Sequence, residues 1–299
     1  MLIHAIKGVF VAVDIDKEAL RREVAQTLGH GRAHEQQLRS PQLFELTEHA
    51  HVKHIIGVIS GKGGVGKSLI CGASAIELKR QGFNVGILDA DITGPSIPKM
   101  FGLSGQHAYG KDDKIIPARS SQDIKIMSTN LVVEHETDPV LWRGPMLMGA
   151  LKQFFEDTLW GNLDYLLIDM PPGTGDVAIT VFQSMPIDGV IIVSSPQDLV
   201  QMVVGKALKM AKMMQVDILG IVENMSFIKC PDCDKTIYPY GESHLLDTSQ
   251  HFNVCALDQV EIMPYIAQSC DTGLLETTLQ TGLIPKTLKV LTDLEAQQN

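Results

Sequence analysis

An α/β fold with a mainly parallel sheet and helices on both faces is predicted for this 299-residue chain by three observations. Short apolar runs alternate with stretches of helical periodicity from His54 onward. Three of these runs, Tyr165 to Ile168, Gly189 to Val193 and Ile218 to Val222, contain no charged or amide residue, as expected of parallel strands covered on both sides. A glycine-rich stretch comes after the first run and aspartates directly follow two others, at the carboxyl strand ends where such sheets bind ligands.

Residues 1–50 read as an N-terminal extension or reduced accessory domain, with a strand over Ile6 to Val13, a helix over Lys17 to Leu28 and a polar connection over Gly29 to Pro41. Residues 51–299 carry the rest. His54 to Ile59 is a buried strand, and a helix begins near Lys67 and runs to Arg80, where Gly82 stops it. Further strands are expected at Asn84 to Leu88, Ile124 to Met127, Tyr165 to Ile168, Gly189 to Val193, Ile218 to Val222 and Val260 to Met263. A helix through Phe182 has Asp176 as its candidate N-cap.

The formal net charge of -10 argues against nucleic acid or anionic membrane as a partner. No apolar stretch reaches spanning length, and Lys7, Asp14 and Asp16 interrupt the first apolar segment, so the expected location is cytoplasmic. Five cysteines suggest thiol or thiolate chemistry over a disulfide framework. Met202, Met210, Met213 and Met214 read as core packing, and His30, His34, His49, His51 and His54 as solvated surface.

Between the first strand and first helix lies Ser60-Gly61-Lys62-Gly63-Gly64-Val65-Gly66-Lys67-Ser68, a phosphate-binding P-loop pattern. Its glycines let successive backbone N–H groups converge on phosphate oxygens, and the helix that follows directs its positive end at the same anion. Gly61, Lys62, Gly63, Gly64, Val65, Gly66, Lys67 and Ser68 are thus expected to hold ATP, in a P-loop NTPase architecture. Two further strands end in carboxylates, Asp89-Ala90-Asp91 and Asp169-Met170-Pro171-Pro172-Gly173. Ser68, Asp89 and Asp169 form an oxygen donor set suited to Mg²⁺. Lys67 and Asp91 are the catalytic candidates, the first at the β/γ-phosphates and the second orienting attacking water. Gly173 is placed to offer a backbone N–H to the γ-phosphate.

Cys230-Pro231-Asp232-Cys233 has the spacing with which two thiolates clamp one metal or cluster. Zinc and most iron–sulfur clusters take four protein ligands, so the others come from Cys255 and Cys270 or from the same pair of a second subunit. Cys71 reads as a packed core thiol.

Taken in order, Gly61 to Ser68, Asp89 to Ser96, Trp142-Arg143-Gly144-Pro145, Asp169 to Asp176, Val222-Glu223-Asn224-Met225-Ser226 and Cys230 to Cys233 resemble the Mrp/ApbC-type iron–sulfur cluster carriers over roughly residues 53–285. The resemblance implies a cytosolic homodimeric ATPase whose paired Cys230 and Cys233 bridge a [4Fe-4S] cluster. It implies exchange of that cluster with cluster-assembly scaffold proteins and recipient apo iron–sulfur proteins. It also implies Asn224 as an adenine contact and Lys62 as the deviant Walker A lysine that crosses to the other subunit's nucleotide, adding it to the catalytic set. The chain departs from the family's usual pattern at Tyr240-Gly241-Glu242-Ser243 and Met263-Pro264-Tyr265. Two other readings of the same residues are a zinc-stapled nucleotide switch and a positioning or partitioning ATPase. The latter would want a membrane-targeting helix, for which the segment from Lys286 to Gln298 is neither basic nor amphipathic enough.

Overall fold

The computed structural model describes residues 43–298 except 49, 93, 112, 134–143 and 197–199. The strand, helix and connection expected between residues 6 and 41 lie outside the described residues, as do His30, His34, His49, Trp142 and Arg143.

Among the described residues a nine-stranded sheet has the order β10, β9, β8, β1, β7, β2, β6, β5, with β11 beside β9. β1 (Ala50–Ser60) sits between β7 (Gly161–Asp169) and β8 (Gly189–Ser194), and β2 (Val85–Asp89) joins β7 to β6 (Lys125–Met127). β9 (Asp217–Lys229) pairs with β8 and with β11 (Ala256–Glu261). All these pairings are parallel. β5 (Ala118–Arg119) and β10 (Thr236–Ile237) add antiparallel ends, while β3 (Tyr109–Lys111) and β4 (Lys114–Ile116) form a separate hairpin. These short pieces have no apolar run to announce them.

Two hydrophobic cores flank the sheet because successive strand residues point to opposite sides. Ile56 and Val58 of β1 and Leu167 of β7 face a core shared with α1 (Lys67–Arg80), α2 (Ile97–Met100), α7 (Pro264–Thr272), α8 (Leu275–Thr278) and α9 (Pro285–Gln298). Ile55, Ile59, Leu166 and Ile168 face the other, with α3 (Gly144–Glu156), α4 (Asp176–Ser184), α5 (Val200–Met213) and α6 (Leu245–Phe252). Each fully buried Ile or Leu stabilises the layers by about 1.5–3 kcal/mol relative to exposure. Phe44, within the span read as an extension, belongs to this second core, 6.1 Å from the Phe155 ring.

Three expectations are corrected. His54 is buried, because β1 begins at Ala50 and carries it inward beside Tyr165 (ring centroids 5.1 Å apart), with Nε2 3.1 Å from the Glu295 carboxylate. Met210 packs in the core, but Met202 and Met213 stand exposed on α5. β9 does not end at Val222: it continues through Glu223, Asn224 and Ser226 to Lys229 because β11 and then β10 pair with its far half. The C-terminal segment, read as a poor anchor, is α9, which buries Leu291 in the first core. No helix among the described residues is long and apolar enough to cross a membrane.

Candidate nucleotide and thiolate sites

The P-loop leaves the carboxyl end of β1 and turns into α1 at Gly66, whose φ of 83° is left-handed and favours glycine. No side chain caps the N-terminus of α1, so the first-turn N–H groups face a cavity of about 330 Å³ lined by Gly63, Gly64, Lys67, Ser68, Asp91 and Pro172. Glycine is also required at 61: a Cβ there would lie 2.1 Å from Val203 Cγ1 and 2.6 Å from the Val203 carbonyl oxygen, both on α5. Lys62 is half-buried beside it, and its carbonyl accepts the Ser60 hydroxyl at 2.9 Å. Val65 is buried and its carbonyl accepts the Asn224 side-chain amide at 3.0 Å. Asn224, expected at an adenine, therefore braces the loop, and a Cβ on Gly66 would sit 2.0 Å from its Nδ2.

β2 and β7 are in register at Asp89 and Asp169, which brings both acidic strand ends to the loop. The Lys67 ammonium lies 2.6 Å from Asp169 Oδ1 and 3.8 Å from Asp91 Oδ2. Ser68 donates its hydroxyl to Asp169 Oδ2 at 2.5 Å. Asp89 is turned toward its own loop: Oδ1 accepts the Asp91 N–H, and Oδ2 accepts the Ser96 and Ile97 N–H groups and the Ser128 hydroxyl. It thereby fixes the segment that presents Asp91. The Gly173 N–H, read as a phosphate contact, donates to the Ser60 carbonyl at 2.9 Å. Asp176 is exposed in the first turn of α4, where Gly175 and not Asp176 is the N-cap. Met100 and Cys270 also line the cavity, brought there by α2 and α7. Nothing local in the sequence places Cys270 at this cavity.

Asp91 and Asp169, both facing the one Lys67 ammonium, leave a formal negative charge beside the loop, which a divalent cation with oxygen preference fits. Burial and then repulsion from Asp169 push the Asp89 carboxyl up to about 8, against the pull of Lys67. Burial likewise raises Asp169, and it pulls the Lys67 ammonium down, but the surrounding carboxylates outweigh it and the net shift is upward. The folded protein therefore retains a proton on Asp89 that the unfolded chain has lost above pH 3.8. Without nucleotide, thermal stability is expected to fall as pH climbs from about 3.8 toward about 8 and to level off above it. Thermal unfolding across that window, compared with Asp89→Asn, tests this. An equal slope in the two proteins would contradict it.

Cys230 follows β9 directly, its N–H donating to Lys235 and its carbonyl accepting from Asp234 in a tight knuckle. The backbone N–H of Asp232, then the Cys233 thiol and N–H, are directed at the Cys230 sulfur and lower its pKa, favouring thiolate. Cys233 is exposed. Among the described residues no third His, Cys, Asp or Glu joins the pair as a metal-binding group. Cys255 stands exposed just before β11, and Cys270 is at the nucleotide cavity.

The chain as a whole has counterparts among known proteins. The chain is 44% identical over 237 residues to an iron-sulfur cluster carrier protein of Clostridium perfringens, covering 77% of this chain and 83% of that one. It is 42% identical to the protein of the same name from Methanocaldococcus jannaschii, covering 75% and 77%. Among solved structures, a nucleotide-binding protein of Archaeoglobus fulgidus in complex with ADP superposes with a TM-score of 0.68 at 38% identity, over 77% of this chain and 90% of that one. The septum site-determining protein MinD of Pyrococcus horikoshii, at 19% identity and a TM-score of 0.57, over 83% of this chain and 98% of that one, shares the fold. The family model described as the NUBPL iron-transfer P-loop NTPase, of the ParA group, matches residues 51–292. Because that match spans most of the chain, the chain belongs to the NUBPL iron-transfer family of P-loop NTPases.

Proposed function

We propose that the protein is an ATP-dependent iron–sulfur cluster carrier, which binds and hydrolyses ATP and delivers a [4Fe-4S] cluster to recipient apoproteins. The observation that carries this reading is that one strand, β9, both touches the phosphate loop through Asn224 and ends in the Cys230 knuckle. The cluster is cargo. Cys230 and Cys233 supply two of its four ligands, and a second copy of the chain supplies the other two, so the working form is a cytoplasmic homodimer. Lys62 lies at the mouth of the loop and reaches the partner's nucleotide. Lys67 holds the phosphates, Asp91 orients water, and Asn224 both braces the loop and borders the adenine. Ser68 and Asp169 would hold Mg²⁺, with Asp89 fixing the Asp91 segment from behind. When bound, the ion neutralises charge developing on the phosphates. The residues before Leu43 act as an accessory extension, and cluster-assembly scaffolds are the donors.

Anaerobic reconstitution with iron and sulfide tests the reading. The protein is expected to take up about four irons and four sulfides per dimer and to convert apo-aconitase to active enzyme. A preparation that holds only zinc, with no transfer, would establish a zinc-stapled switch in its place.

A further inference from the structure

Between the nucleotide cavity and the cysteines, β9 contains an irregularity that begins beside Asn224 and runs toward the knuckle. From Glu223 to Phe227 it advances four residues while its partner β11 advances two, from Gln259 to Glu261. The excess forms a bulge in which Met225 takes a φ of 59°, left-handed and rare for a residue with a side chain. The bulge is clasped internally: the Ser226 hydroxyl donates to Glu223 Oε1 at 2.7 Å, and both residues are wholly buried.

Two of its features point outward. On the nucleotide side, Asn224 donates to the Val65 carbonyl, and Met225 Cε lies 3.8 Å from where a Cβ on Gly66 would stand. On the sheet side, Glu223 Oε2 has no hydrogen-bond partner, nor has the hydroxyl of Ser194, its register neighbour on β8. Side chains of paired residues on adjacent strands project to the same face about 5 Å apart. A buried acceptor and a buried donor, both unsatisfied and side by side, give the Glu223 carboxylate a second setting available by rotation. Four residues beyond Ser226 the chain reaches Cys230.

We infer that this bulge is the joint by which the phosphate loop acts on the cysteine knuckle, with Glu223 and Ser226 as positioning residues. In the clasped setting Glu223 holds Ser226 and fixes the direction in which β9 leaves toward Cys230. Phosphate drawn into the loop shifts Val65 and Gly66 against Asn224 and Met225, and Glu223 exchanges Ser226 for Ser194. The exit of β9 turns with it. The inference rests on the carrier reading for its purpose, but its geometry is independent of any cargo.

The test reads the cysteine without cargo. The alkylation rate of Cys230 by iodoacetamide, followed by peptide mass spectrometry in the full-length protein, is compared with and without Mg²⁺ and a non-hydrolysable ATP analogue. A change of about fivefold or more is expected in the wild type. In Ser226→Ala and Glu223→Gln the ratio is expected to fall to near one while analogue binding persists. Met225→Gly, which adopts the same φ without strain, is expected to keep it. Wild-type ratios in both Ser226→Ala and Glu223→Gln, or no nucleotide effect in the wild type, would overturn the joint. Failure to hold iron and sulfide would instead sink the carrier reading and leave the alkylation ratio to decide the joint.

Discussion

Lys67→Ala is expected to reduce nucleotide hydrolysis by about 100- to 1000-fold, the usual effect of removing one preorganised group that stabilises developing charge. The side chain is 6% exposed and its ammonium is 2.6 Å from Asp169, which fixes it at the phosphate end of the cavity. The same change is expected to cost stability. With the ammonium gone, Asp169 keeps only the Ser68 hydroxyl in a wholly buried position, and breaking such a pair from one side typically costs about 3–5 kcal/mol. Proton uptake by Asp169 offsets part of that cost, so the drop in melting temperature is expected to be smaller at pH 5 than at pH 8. Steady-state phosphate release and thermal unfolding at both pH values provide the check. Unchanged turnover in Lys67→Ala would remove Lys67 from the site.

Cys230→Ala or Cys233→Ala, each alone, is expected to abolish retention of the cluster. A two-fold site with two thiolates per chain is left with two of four ligands when either is lost, too few to hold [4Fe-4S]. Stability is expected to change by less than about 0.5 kcal/mol for Cys233, an exposed side chain. Hydrolysis should persist, because the β2, β7 and P-loop groups are untouched. Iron and sulfide content with the visible absorption band separates this outcome from a folding defect. Iron and sulfide retained at the wild-type level in both variants would remove the pair from the site.

The central strands were legible because burial on both faces leaves them without polar residues: Ile55, Ile56, Ile59 and Leu166 to Ile168 admit little else. The far half of β9 was not, since Glu223, Asn224, Ser226 and Lys229 resemble a loop until β11 and β10, distant in sequence, pair with it. The P-loop pattern announced Lys67 and Ser68 through local spacing alone. Asp89 and Asp91 are indistinguishable in that respect, and only the positions of Ser96, Ile97 and Ser128 turn the first toward the loop. His54 was misread for a similar reason: its partner Glu295 lies 241 residues away. Cys270 reaches the cavity through packing of α7 on α2, including the close approach of Gly102 and Gly273, which no periodicity encodes.

The Glu295 contacts with Lys53 and His54 carry a consequence for biosynthesis. β1, which launches the phosphate loop, is among the first described segments to leave a ribosome, yet α9, which fastens its opening end, is the last. Long-range closure of this kind comes late in folding. The opening end of β1 therefore stays unfastened until the segment that forms α9 has emerged, and the Lys53 and His54 contacts to Glu295 are among the last to form.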